Sequence, residues 1–337
     1  MSQRQLDRNL ETWNAIRKNV SYEEILLGNG ASRAVWPQFQ YDSLFEVACS
    51  REMEFRLRAS ERALFRRFKT KNFELVLVAL RTTYTVNSLL DIDTDKVEER
   101  YARIQNSLIE AVKKVHIPWP NAVTVLPALK KALIDYQSVF TTNYDLLVYW
   151  AIMSGESVGN FADFFWDAHG QFDPFNVTLE DGKTGIYYLH GALHLLDRWE
   201  GGTRKRINTG VRNLLNQFQI PDIEEGDLPL FITEGTSADK LKAIESSDYL
   251  SFAYDALREQ GGNLVIFGQG LGENDRHLIR AISSSPRRNV AVSIFEEDPD
   301  LIEKRKHYVR RQFPPRISVT FFKASSHPLG SEKVAVS

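Results

Sequence analysis

The fold class predicted for this chain is α/β: a doubly wound, Rossmann-like, mostly parallel sheet with a helical insertion. Three observations predict it. Short runs rich in β-branched and aromatic residues alternate with helical patterns, as in a parallel sheet covered on both faces. The first apolar run, in "EEILLGNGAS", feeds directly into a glycine turn. Four of the runs end in polar or glycine residues, and carboxyl strand ends are where such sheets hold ligands.

The elements follow in order. Residues 3–19 are polar with helical spacing at Leu6, Leu10, Trp13 and Ile16, so residues 1–22 form an N-terminal helical segment. The first strand is about 23–28 and opens a single domain extending to residue 327. Residues 43–68, 72–91 and 95–116 read as long helices, and with the break at Pro118 and Pro120 they define an insertion at about 43–122. A helix near 123–134 leads into the strand "QSVFTTNYD". The strands "TGIYYLHGAL", "LPLFITE", "GNLVIFGQGLGEND", "NVAVSIFEED" and "ISVTFFKAS" follow, with helices at 237–260, 274–284 and 298–312. Residues 328–337 read as a disordered tail.

Composition narrows the function classes. The 337 residues are 43% hydrophobic and 26% charged, an ordinary globular balance. A net charge of -2 gives no general attraction to nucleic acid or an anionic membrane. The single cysteine, Cys49, excludes an internal disulfide framework and a four-cysteine zinc site. The N-terminus has no apolar signal region and no run spans a bilayer, so the expected location is the cytoplasm. The arginine-rich "SREMEFRLRASERALFRRFKTK" reads as a solvated helix face rather than a nucleic-acid contact, and "TRKRINTGVR" as a basic loop.

Each strand end has a functional and a plain reading. At Gly28-Asn29-Gly30-Ala31-Ser32 the glycines let backbone approach a phosphate, and a side chain at Gly30 would occupy that space; the plain reading is a tight turn. In "FTTNYDLL", Thr142, Asn143 and Asp145 end a buried strand; the plain reading is capping of the next helix. In "YYLHGAL", His190 precedes a glycine that leaves space, which suits proton transfer. His190 and His194 are also spaced for two metal ligands on one helix face, but no third ligand completes the set, so no metal is expected. "VIFGQGLGEND" offers Gly268 and Gly270 to the adenosine half of a dinucleotide, or is simply a loop.

Taken in order, Gly-x-Gly-Ala-Ser, Thr-Thr-Asn-Tyr-Asp, His-Gly and "FGQGLGEND" resemble the sirtuin superfamily, over about residues 23–325. The pattern is most similar to the bacterial sirtuin-like effectors of antiphage defence. The resemblance implies NAD bound across the carboxyl edge of the sheet. Gly28, Gly30, Ala31 and Ser32 would hold the diphosphate, and Thr142 would be a further cofactor-binding residue. Gly268 and Gly270 would flank the adenosine ribose. Asn143 would position the nicotinamide ribose or a water, Asp145 would lie near the nicotinamide, and His190 would be the general base. It also implies control by assembly, as a homo-oligomer or with a partner such as a DNA-translocating ATPase of the HerA type.

Two departures from the sirtuin pattern matter. Arg198–Gln219 stands where deacetylases carry a four-cysteine zinc ribbon, and Trp36-Pro37-Gln38-Phe39 keeps only part of their Pro-Asp-Phe-Arg stretch. Water is then the expected acceptor, and the expected activity is NAD glycohydrolysis, releasing nicotinamide and ADP-ribose. The competing readings are a non-catalytic NAD or ADP-ribose sensor and a zinc-free protein deacylase. For a dehydrogenase, no acidic residue sits about 20 positions past the glycine turn within a compact βαβ unit.

Overall fold

A computed structural model of the chain describes residues 9–37, 44–154, 158–166, 169–175, 182–198, 201–206, 214–215, 218, 220, 227–232, 235–287 and 289–336. The chain starts with a short helix, α1 (Trp13–Arg17), capped by the Thr12 side chain, and enters β1 (Glu24–Leu27). Helix α2 (Asn29–Val35) follows at once. The insertion then runs through α3 (Leu44–Cys49), α4 (Ala59–Phe68), α5 (Phe73–Leu89), α6 (Asp95–Val115) and α7 (Trp119–Ala122). Helix α8 (Leu126–Leu133) leads to β2 (Ser138–Thr141), α9 (Leu147–Met153), β3 (Phe161–Ala162) and β4 (Thr184–Tyr188). Then come β5 (Gly191–Asp197), β6 (Thr203–Lys205) and β7 (Leu228–Phe231). The last part is α10 (Ser237–Glu245), α11 (Asp248–Glu259), β8 (Leu264–Phe267), α12 (Arg276–Ser284), β9 (Asn289–Ile294), α13 (Pro299–Arg310) and β10 (Ser318–Lys323).

Seven strands form one sheet in the order β10-β9-β8-β1-β2-β4-β3, with every recorded pairing parallel. The fold is therefore α/β and doubly wound, as the alternation of runs predicts. Strand order reverses at β1, which has β2 on one side and β8 on the other. Leu27 is in register with both Thr141 and Phe267, so three strand ends stop at one level. Ile25 and Leu27 pack into the core under the insertion, while Leu26 joins Phe140 and Ile266 on the opposite face. A strand buried on both faces reads as a continuous apolar run for this reason.

Five expectations are corrected. "TGIYYLHGAL" is two strands, not one: β4 lies in the large sheet between β2 and β3, and Gly191 at φ 71 turns the chain into β5 of a separate antiparallel sheet, β6-β5-β7. A side chain there would strike the Leu230 carbonyl group, so the turn requires glycine. "LPLFITE" therefore supplies β7 to the small sheet and not to the parallel one. Residues 43–68 break between α3 and α4, because the Glu110 carboxylate on α6 accepts the Glu54 and Phe55 N–H groups and Leu57 N–H bonds Ala48 O. Residues 237–260 break where Ser247 caps α11 through Leu250 N–H. Residues 328–336 are not a loose tail: Leu329 and Val334 are buried and Val336 N–H bonds Val35 O. Residues 1–8, at the start of the N-terminal helical segment, lie outside the described residues, as do 207–212 of the basic loop.

One buried ion pair joins the amino ends of the sheet. Arg287 Nε donates to Glu24 Oε2 at 3.0 Å, Arg287 Nη2 donates to the same oxygen, and Gly262 N–H donates to Glu24 Oε1 at 2.8 Å. Breaking such a pair leaves a buried charge uncompensated, which costs about 3–5 kcal/mol. Glu24→Ala is expected to lower stability in urea unfolding by that amount. A double change, Glu24→Leu with Arg287→Met, should recover most of it. Equal midpoints for the single variant and the parent would show that the pair contributes nothing.

Candidate functional site

The strand-order reversal brings three sequence-predicted segments together: the Gly28–Ser32 turn after β1, Thr142–Asp145 after β2 and Gly268–Gly270 after β8. Their contact is closer than a ligand cradle needs. Gly30 N–H donates to Gly268 O at 2.7 Å, and Gly28 N–H to Phe267 O at 2.9 Å. A Cβ on Gly30 would lie 2.7 Å from Gly268 Cα, and Gly268 has φ 73. The expected role of Gly30 is thus corrected: the space above it is filled by backbone from the β8 turn, and its N–H is already used. Ala31 N–H bonds Gly28 O. Across this seam Thr142 Oγ1 donates to Gln269 Oε1 at 3.0 Å, a partner that the sequence reading missed.

Behind the seam runs a directional chain of hydrogen bonds. Asn143 Nδ2 donates to Gly28 O at 3.0 Å and to Ser32 Oγ at 2.9 Å. The Gly28 carbonyl can only accept, which fixes the orientation of the amide. Ser32 Oγ then donates to Asp145 Oδ2 at 2.5 Å, and Leu147 N–H donates to Asp145 Oδ1 at 2.9 Å. Capping of α9 therefore falls to Asp145, while Thr142 and Asn143 are used elsewhere. Burial pushes the Asp145 carboxyl up, against His116 and the donors on Ser32 and Leu147. Both its oxygens are engaged inside the protein, so Asp145 holds the network. His116 takes Leu146 N–H on Nε2 at 2.9 Å and faces Ile117 O with Nδ1 at 2.8 Å. That pattern needs a neutral ring with its proton on Nδ1, and burial lowers its pKa accordingly.

His190 follows β4, the neighbour of β2 in the sheet, but it joins a different group. Its Nε2 lies 2.8 Å from His277 Nε2 at the start of α12. His277 Nδ1 is 3.3 Å from Ser237 Oγ on α10, and Ser237 Oγ accepts His277 N–H at 2.8 Å. His277 and Ser237 were not found from sequence. Their only signal is that a polar histidine stands in an apolar helix pattern, "RHLIRAI". Burial takes the His190 pKa well below its ordinary value, helped by Lys240 and His277. The His277 pKa is lowered to about 4, by burial first and then by Lys240.

His194 departs from the metal-ligand spacing. It lies within β5, not on a helix, and is stacked on Tyr149 with the edge of Tyr188 nearby. Among the described residues no group of His, Cys, Asp and Glu gathers to hold a metal ion. Nor is any described helix long and apolar enough to cross a membrane. Of the partial Pro-Asp-Phe-Arg match, Gln38 and Phe39 lie outside the described residues.

The packing of the seam sets one expected outcome and the buried histidines a second. Gly30→Val should lower the melting temperature sharply, because backbone and not a flexible side chain must move to admit it. A Gly30→Val variant that melts with the parent would mean the seam is loose. The second concerns acid. His116, His190, His194, His277 and His327 are all buried with lowered pKa values, His277 to about 4 and His327 to about 3. Protonation then favours the unfolded chain. Stability is complete above about pH 6.5 and is lost as pH falls below it, by about 1.4 kcal/mol per pH unit for each histidine. Melting temperatures measured from pH 7.5 to pH 5 should drop steeply in the lower half; a flat profile would contradict neutral burial.

No curated protein matches the chain. Residues 25–329, from β1 to the turns after β10, match the family described as a domain of unknown function, DUF4917. That match takes in the whole large sheet, the insertion and both polar groups, and the chain belongs to the DUF4917 family.

Proposed function

We propose that the chain is an NAD glycohydrolase that splits the nicotinamide–ribose bond with water. One observation carries the reading. Asn143 and His190 stand at adjacent strand ends, after β2 and β4, and each is held through one polar atom with the other left unpaired among the described residues. Asn143 keeps Oδ1 to orient a ribose hydroxyl or the attacking water. His190 keeps Nδ1 to take a proton. Water adds to the anomeric carbon, its proton passes to His190, and the C–N bond pair leaves with nicotinamide. The leaving group is a pyridinium that becomes neutral as it departs, so no acid is required. Asp145 acts through Ser32 and Asn143 rather than on the nicotinamide.

The same reading extends to NAD depletion in antiphage defence, by a cytoplasmic homo-oligomer or a complex with a partner ATPase; the motif order supports it. A sensor of NAD or ADP-ribose is the second reading. It is favoured by the burial of the pair, with Asn143 4% and His190 3% exposed.

Nicotinamide release from NAD by the purified chain, with calorimetric NAD binding in parallel, tests both. Asn143→Ala and His190→Ala are each expected to lower the rate per folded molecule by roughly 10²–10⁴-fold. The double variant should be hardly worse than the poorer single, since the two act on one step. Binding without release in the parent would leave the sensor; neither binding nor release would remove both readings. Release that requires an acylated peptide would replace them with the deacylase.

A further inference from the structure

We infer that His190, His277 and Ser237 form a proton relay that carries the proton taken up by His190 out to solvent at the start of α10. The inference rests on the hydrolysis proposed above and adds to it a route for the proton. Two imidazole nitrogens at 2.8 Å cannot both carry a proton and cannot both lack one: one donates and one accepts. Two protonated rings in contact would also bring two positive charges into a buried space that already has Lys240 nearby. The same burial and the nearby Lys240 disfavour a charge on either ring alone, so the pair is neutral and ordered. With the proton of His190 on Nε2, His277 accepts on Nε2 and bears its own proton on Nδ1, facing Ser237 Oγ at 3.3 Å. Ser237 also accepts His277 N–H at 2.8 Å, so its own hydroxyl proton is free to point outward. Ser237 is half-buried in the first turn of α10, between exposed Thr236 and Ala238. His190 Nδ1 is then bare, as a base must be.

The transfer balances along this line. A proton arrives at His190 Nδ1 and the Nε2 proton moves to His277 Nε2. The Nδ1 proton of His277 moves to Ser237 Oγ, and the original Ser237 hydroxyl proton leaves to water. Both rings end neutral with their tautomers exchanged, so no charge stays in the buried pair. Surrounding groups keep the line in place. Tyr254 OH donates to His277 O at 2.8 Å, and Lys240 lies 3.5 Å from Asp275, the residue before α12. His277 and Ser237 are positioning residues in this scheme; only His190 meets the substrate.

The test joins nitrogen NMR of the histidine rings to steady-state kinetics on the full chain. At pH 7.5 the parent should show His190 with a bare Nδ1 and a protonated Nε2, and His277 with the reverse. His277→Phe should leave His190 in mixed tautomers and lower kcat by roughly 10–100-fold with KM little changed. Ser237→Ala should keep the ring pair and lower kcat less, and Ser237→Thr, which keeps the hydroxyl, should restore it. A resting His190 that carries its proton on Nδ1 overturns the relay whatever the activity. Full kcat in both His277→Phe and Ser237→Ala also overturns it and leaves the hydrolase reading standing. The expected tautomers in a parent that releases no nicotinamide remove the hydrolase reading and keep the hydrogen-bond order.

Discussion

The contact between the β1 turn and the β8 turn, backbone against backbone, is the constraint on which the rest of the site depends. Gly30 donates to Gly268 O at 2.7 Å with no room for a side chain on either residue. It closes the sheet at the position where strand order reverses. It also sets Gly28 O and Ser32 Oγ where Asn143 can donate to both. Any separation of the two turns would unhook the amide, and with it the Ser32–Asp145 bond that anchors the start of α9. Glycine here serves packing, and the polar groups behind it inherit their geometry from that packing.

The site is built from buried polar side chains that bond to one another and to backbone. Asn143, Asp145, His116, His190 and His277 each hold at least one hydrogen bond to another element. Low surrounding polarity strengthens such bonds and makes a missing partner costly. Uncharged rings and one-way donor chains satisfy both conditions together. Among the described residues His194 is one exception: both ring nitrogens are buried without a hydrogen-bond partner, as are the Tyr188 hydroxyl against which it packs and Asn29 Oδ1 in the β1 turn. Aromatic contact with Tyr149 and Tyr188 is what holds that ring.

Much of the architecture is legible along the chain. Continuous apolar runs such as Ile25–Leu27 and Leu264–Phe267 mark strands buried on both faces, and their alternation with helices marks a parallel sheet. Helices α5 and α6 fall within a few residues of their apolar periodicity. Gly28, Asn143, His190 and Gly268 stand out because polar or glycine residues at the end of apolar strands are conspicuous. Helix α11 starts where Ser247 offers a cap, a signal that is present in the sequence but lies inside a longer periodic run.

By itself, then, the sequence determined local periods, the succession of most strands and helices along the chain and the residues that interrupt apolar runs, since each depends on near neighbours. Only the tertiary structure decided which interruptions meet. His190 turns to His277, 87 positions away, and not to Asn143; Asn143 reaches back to Gly28 and Ser32. The α3–α4 break exists because Glu110, more than fifty residues on, satisfies the backbone there. Leu329 and Val334 are ordered because apolar side chains far along the chain find a core already formed by α2 and α8. Burial of a polar group is a property of all the elements around it, and no window along the chain contains them.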